Sequence, residues 1–270
     1  MKKTLLSITI ILAAFIFAAC GDSDSDGNII INIGATASPH AEILERVSSI
    51  LEENGFTLNI TVFDDYVLPN LALDAGDIDI NYFQHVPYLK NFNENHGTDL
   101  VPVFGVHFEP LRVYGGRLDS LENIPNGASI AIPNDPTNEA RALQLLEYLG
   151  LISLTPGLGL SATALDVAHN PHNLDIRPLE APILPPSLPD VDFAVINGNI
   201  ALAGGVIDRA IDNAGESPDS PAAQQFTNYL VVRAGYENDP GLGALIEVLN
   251  SQTIRDFIYN EYQGRVIPTF

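Results

Sequence analysis

GDIDINYF (residues 76–83) and DVDFAVIN (190–197) are built alike: acidic and apolar residues alternate, and each run carries an asparagine, Asn81 or Asn197. Alternation with period two predicts a half-buried strand, because successive side chains of a strand point to opposite faces. The likeness suggests one unit used twice, although such alternation is common enough to arise by coincidence.

The flanking sequence supports a repeated α/β unit. Ile29 to Ala35 is rich in β-branched residues and predicts a strand. Ser38-Pro39 then predicts a helix start, with serine as the N-cap and proline in the first turn. Ile43, Val47, Ile50 and Leu51 fall on one face of that helix, and Gly55 stops it. Thr57 to Phe63 predicts a second strand, and a helix around Asn70–Ala75 leads into the first quoted run. Val86 to Asn95 reads as helix, and Leu100 to Tyr114 as a long extended stretch broken by Gly105 and Pro110.

The second unit begins with a strand at Ala128–Ile132 and a helix in NDPTNEARALQLLEYLG (134–150). The run at 190–197 follows, with a helix after it; Pro182, Pro185, Pro186 and Pro189 preclude regular helix just before it. Asn228–Arg233 predicts a strand, and Pro240–Leu249 and Thr253–Tyr262 predict helices. Strands alternating with helices imply an α/β fold with mixed sheets covered on both faces.

The chain has 270 residues, enough for two lobes of about 100–130 residues each. The expected division is 29–110 plus 230–270 for lobe 1 and 111–229 for lobe 2, joined by extended hinge segments at 104–114 and 227–234. Ligands of open α/β sheets sit beyond the carboxyl ends of the strands. Two lobes hinged in this way close around such a ligand.

The first twenty residues, MKKTLLSITIILAAFIFAAC, have a basic start, an apolar run from Leu5 to Phe17 and small residues before Cys20. This pattern predicts a secretory signal peptide of the lipoprotein kind, cleaved so that Cys20 becomes an acylated N-terminus. Phe17 stands where leucine is usual, and an ordinary signal peptide with an incidental cysteine is the alternative. GDSDSDGN (21–28) has no apolar residue and predicts an acidic tether. With 12 basic against 34 acidic residues the net charge is −22, and loss of Lys2 and Lys3 takes it to −24. Clustered cations are missing, which excludes nucleic acid as a partner. The single cysteine excludes an intramolecular disulfide and a cysteine-rich zinc site.

The sharpest cluster of chemistry is NDPTNEAR (134–141). Asp135 or Asn134 can cap the helix, and Arg141 can reach back toward its start. A guanidinium binds a carboxylate bidentately, which makes Arg141 a candidate carboxylate receptor. The alternative is a surface arginine paired with Glu139 or Glu147. Aromatic and imidazole side chains gather at Tyr66, Tyr82, Phe83, His85, Tyr88, Phe104, His107 and Phe108, either as a dry binding wall or as ordinary core. Motifs of serine hydrolases, zincins, P-loops and dithiol enzymes are missing. His85, His107 and Glu109 match no compact metal spacing, so no metal and no cofactor are expected.

GATASPHAEILE (34–45), DDYVLPN (64–70), GDIDINYFQHVPYL (76–89), HGTDLVPVFGVHFEPL (96–111), IAIPNDPTNEARALQLLE (130–147), AVINGN (194–199) and VIPTF (266–270) together resemble the NlpA-type methionine-binding lipoproteins of ABC importers. The resemblance implies a two-lobed, periplasmic-binding-protein-like fold of type II and a binding role without catalysis. It also implies a lipid anchor through Cys20 on the extracytoplasmic face of the cell membrane, with an ABC permease and its ATPase as partners. Carried over residue by residue, Arg141 would take the carboxylate of methionine, and Asn197 and Asn228 would bind the amino-acid head. Tyr66, Phe83, His85 and His107 would wall the side-chain pocket, with Tyr82 a weaker candidate. The chain departs from the family pattern at Ser38, where glycine is frequent, in LRVYGGRL (111–118), which lacks the usual lysines, and in the proline-rich Ile183–Pro189. Rival readings keep the scaffold with D-methionine, a methionine-containing dipeptide or another amino acid, or make the chain a metal-binding lipoprotein or an anchored hydrolase.

Overall fold

The computed structural model describes residues 24, 25 and 27–270. The expected signal peptide and Cys20 lie outside the described residues. Asp24 is already part of the folded body: its carboxylate accepts hydrogen bonds from Asn28 and from the Thr57 hydroxyl. The tether expected over 21–28 therefore has its last residues bonded to the first lobe.

In chain order the first lobe contains β1 (Ile29–Thr36), α1 (Glu42–Glu52), β2 (Phe56–Phe63), α2 (Leu68–Ala75), β3 (Ile80–His85), α3 (Val86–His96) and β4 (Leu100–Phe108). The second contains β5 (Arg112–Gly115), β6 (Ser129–Pro133), α4 (Pro136–Tyr148), the short pair β7 (Ser153–Leu154) and β8 (Val167–His169), and β9 (Asp175–Leu179). It continues with α5 (Leu184–Ser187), β10 (Phe193–Ile196), α6 (Gly198–Ala203) and β11 (Ala210–Gly215), and α7 (Pro221–Gln225) lies on the way back. The chain then returns to the first lobe as β12 (Asn228–Arg233), α8 (Pro240–Leu249), α9 (Gln252–Tyr262) and β13 (Ile267–Pro268).

The two large sheets run β13-β4-β12-β3-β1-β2 and β11-β5-β10-β6-β9. Each contains a parallel trio, β2-β1-β3 or β9-β6-β10, flanked by an antiparallel strand. That antiparallel strand, β12 or β5, is in each case the first to arrive from the other lobe. The fold is thus one plan used twice.

The two acidic-apolar runs carry the symmetry in an unexpected way. Asp79 and Asp192 stand just before their strands, and all residues of β3 and β10 are buried. Asp79 accepts from the Asn32 backbone N–H of β1, and Asp192 from the Ser129 N–H of β6. Each acid therefore ties its strand to the parallel neighbour from outside the sheet. Asn81 consequently lies near the start of β3, bonded to Asn70 and the Pro69 carbonyl, while Gln84, next to His85 at the strand end, holds the place that corresponds to Asn197.

Three expectations need correction. Ser38 is no helix N-cap: its backbone is extended (φ −121°, ψ 139°), and α1 starts only at Glu42. The segment 227–234 is no hinge, because Asn228 and Tyr229 pair with His85 and Gln84 of β3 in the first sheet. The return crossing is 216–227, so we place the end of the second lobe before Asn228. The outward crossing narrows from 104–114 to Glu109-Pro110-Leu111, since β4 runs unbroken through Gly105.

Candidate functional site

The cavity between the lobes is built from strand ends. His85 ends β3, Asn197 follows β10, Asn228 opens β12 and Glu109 lies in the outward crossing. Tyr66 comes from the connection after β2, while Asn138 and Arg141 come from the first turns of α4. Together these residues, with Phe83, Tyr88, Gly198 and Asn199, line about 360 Å³ of atom-free space including its mouth. Tyr66 stacks on Phe83 with ring centroids 6.0 Å apart, and Tyr88 stands edge-on to both. This is an apolar aromatic wall facing polar side chains.

Asn138 joins the lobes. Its Nδ2 donates to the Asp135 carboxylate, which also caps α4 by accepting from the Asn138 N–H at 3.0 Å. Its Oδ1 accepts from Asn197 Nδ2 at 2.9 Å and from His85 Nε2 at 3.2 Å. The other His85 nitrogen, Nδ1, accepts from the Tyr88 N–H, so the proton is on Nε2. A second interlobe bond runs from the Tyr66 hydroxyl to Asn199 Oδ1, 2.8 Å. With these bonds made, Asn197 Oδ1 is a buried acceptor with no partner among the described residues. Such an atom costs about 1–3 kcal/mol unless a ligand or water supplies a donor.

Arg141 is 4% exposed and lies with its guanidinium carbon 4.1 Å from the centre of the Phe226 ring. Its Nε and Nη2 donate to Glu216 at 2.7 and 2.5 Å, and Nη2 also donates to the Glu109 carbonyl at 3.1 Å. A guanidinium has five N–H groups, so both Nη1 hydrogens keep no partner among the described residues. Glu139 and Glu147, the partners of the surface alternative, instead accept from the Ala164 and Leu154 backbones. At the start of α4 the Asn138 N–H is already taken by the Asp135 carboxylate.

Behind the cavity lies a buried polar cluster. His107 Nδ1 bonds the Tyr82 hydroxyl, and its Nε2 meets Glu109 Oε1 at 2.6 Å. His40 bonds Thr36 Oγ1 through Nδ1, 2.8 Å, and Asn228 Oδ1 through Nε2, 3.2 Å. Ligating atoms of His40, His107 and Glu109 lie within 4.8 Å of one another. They are close enough for a cation, yet each is engaged in these hydrogen bonds.

A sequence profile described as NlpA lipoprotein matches residues 31–270. The chain belongs to the NlpA lipoprotein family. Among solved structures, a nutrient-binding protein from Burkholderia cenocepacia bound to methionine is 39% identical, with a TM-score of 0.83 over 89% of this chain and 100% of that one. A periplasmic substrate-binding protein of an ABC transporter from Coxiella burnetii is 37% identical, with a TM-score of 0.82 over 88% and 100% of the two chains. The methionine-binding lipoprotein MetQ of Bacillus subtilis is 35% identical over 276 residues, 99% of each chain. No helix among the described residues of this NlpA-family chain is long and apolar enough to cross a membrane.

Of the residues singled out in the sequence, Tyr66, Phe83, His85, Tyr88, Arg141, Asn197 and Asn228 meet at the cavity. Tyr82 and His107 do not line it. Both are 0% exposed in the first lobe; Tyr82 packs with the α1, α8 and α9 side of the sheet, and Phe83 with the α2 and α3 side. Neighbours on a strand face opposite ways, so the two rings cannot share one wall. The sequence reading weighs Glu109 only as a metal ligand and passes over Asn138, Asn199 and Glu216, the partner of Arg141. Asn138 and Asn199 lie inside motifs already quoted, but no local signal marks Glu216, 75 residues from Arg141.

Burial holds His40, His85 and His107 neutral, with pKa values lowered to about 3; the Arg141 guanidinium adds to the effect at His85. Unfolded, these groups titrate near 6.5, so between those limits the unfolded chain binds three more protons. Burial raises Glu109 and Asp135, which offset at most two of the three. At least one net proton remains, and stability is expected to fall as pH drops below about 6.5, by about 1.4 kcal/mol per pH unit for each net proton. Thermal melts at pH 7 and pH 5 check this; an unchanged or higher melting temperature at pH 5 contradicts it.

Proposed function

We propose that this chain is the extracytoplasmic, lipid-anchored receptor of an ABC importer, capturing methionine between its lobes and delivering it to a membrane permease driven by an ATPase. The observation that carries the reading is the unpartnered Asn197 Oδ1 in the same interlobe cavity as Arg141, whose Nη1 is free among the described residues. One is an acceptor for an ammonium, the other a charged donor for a carboxylate. Tyr66, Phe83 and Tyr88 complete the arrangement with a slot for an unbranched thioether, whose sulfur makes favourable contacts with ring edges. The relatives that bind methionine by name support the choice of ligand. No constellation for catalysis is assigned, and anchoring rests on Cys20.

Native mass spectrometry of the purified protein tests the reading directly: one bound mass equal to methionine is expected. After unfolding and refolding to strip the ligand, calorimetry is expected to show one-site binding of L-methionine. A different retained mass, with no heat from L-methionine, overturns the ligand. Asn228→Ala is expected to weaken binding tenfold or more, because a hydrogen bond to a charged group contributes about 1.5–3 kcal/mol. Equal affinity of variant and parent contradicts its role.

A further inference from the structure

We propose that His40, which does not line the cavity, is the positioning residue that makes Asn228 a hydrogen-bond donor toward the ligand carboxylate. The inference rests on the functional reading above and assigns a polarity to the head-group site. Asn228 is held by its backbone between His85 of β3 and His107 of β4. Its remaining freedom is a half-turn of the amide, which exchanges an acceptor for a donor at nearly constant shape. Something beside it has to choose.

His40 makes that choice. Its Nε2 faces two oxygens, Asn228 Oδ1 at 3.2 Å and Glu109 Oε1 at 3.7 Å. A carboxylate so near favours the proton on Nε2, and Nδ1 is then free to accept from the Thr36 hydroxyl. A donor at Nε2 takes the oxygen end of the amide. Asn228 Nδ2 is left without a partner among the described residues, as a donor to the cavity. The imidazole cannot swing away: it is 0% exposed, edge-on to Tyr82 at 4.7 Å and against His107 at 4.9 Å.

The head-group site then has a fixed sense. Asn228 and Arg141 donate to the carboxylate, and Asn197, with its oxygen free, accepts from the ammonium. With the opposite amide orientation, Asn228 would present an oxygen to a carboxylate and repel it.

A double-mutant cycle on the full mature chain tests the assignment by calorimetry with L-methionine. His40→Phe is expected to weaken binding about tenfold, and His40→Gln, whose amide N–H can replace that of Nε2, to stay within about threefold of the parent. In an Asn228→Ala background His40→Phe is expected to change affinity less than twofold, since the group it acts through is gone. Equal losses from His40→Phe in both backgrounds, or no loss in either, overturn the assignment. Should His40→Phe fail to fold, His40→Gln carries the cycle, and a tenfold loss that persists in the Asn228→Ala background counts against the assignment. A parent protein that ignores L-methionine fails the functional reading itself, whereas parent binding with indifferent variants fails this inference alone.

Discussion

Replacing Arg141 by alanine is expected to weaken methionine binding at least 100-fold. Removing one side of a hydrogen-bonded charge pair shielded from water costs about 3 kcal/mol or more, and 1.4 kcal/mol is tenfold. The single variant has a second consequence, because Glu216, at 9% side-chain exposure, loses its ion-pair partner. Breaking one side of a buried pair costs about 3–5 kcal/mol of stability. The double variant Arg141→Met with Glu216→Leu removes both charges, and an apolar replacement of a whole buried pair is often neutral. The expected result is a double variant that melts near the parent temperature and still binds at least 100-fold more weakly. Calorimetry and thermal melts measure both quantities. Parent-like affinity in that double variant removes the carboxylate assignment.

Gly198→Ala is expected to lower affinity about 10- to 100-fold for a steric reason. A Cβ at Gly198 would stand 2.7 Å from Glu109 Cβ and 2.9 Å from Oε2. The Cβ of Glu109 sits on the outward crossing, and its carboxylate is bonded to His107, so neither atom retreats easily. Overpacking of this kind costs about 1–3 kcal/mol. Gly198 belongs to the second lobe and Glu109 to the crossing, so the strain falls on closure rather than on either core. Small-angle scattering at saturating methionine is expected to show a larger radius of gyration than for the closed parent. Equal affinity and equal compaction sink the idea.

The residues that approach the cavity were legible where local rules reach. Asp135 caps α4, Pro136 opens it and Arg141 follows one turn later, all within eight residues. His85 and Asn197 sit at strand ends, where an alternating sheet places ligand-facing groups. Tyr82 and Phe83 mark the limit of that logic: composition puts two adjacent rings in one cluster, while the strand sends them to different cores. Asp79 and Asp192 show the same limit, since their alternation with apolar residues reads as a half-exposed strand although both stand at its entrance.

By itself the sequence determined the α/β class and most of the side chains gathered at the cleft, while the repeated plan it only suggested was decided by the sheet topology. Propensity, periodicity and capping are short-range effects, and each is complete within a few residues. Only the tertiary structure decided that Glu216 grips one edge of Arg141, that Asn138 bridges the lobes and that His40 turns the Asn228 amide. Those outcomes are hydrogen bonds between groups 53 to 188 positions apart. Their geometry exists only once the two sheets have packed and water has left the space between them.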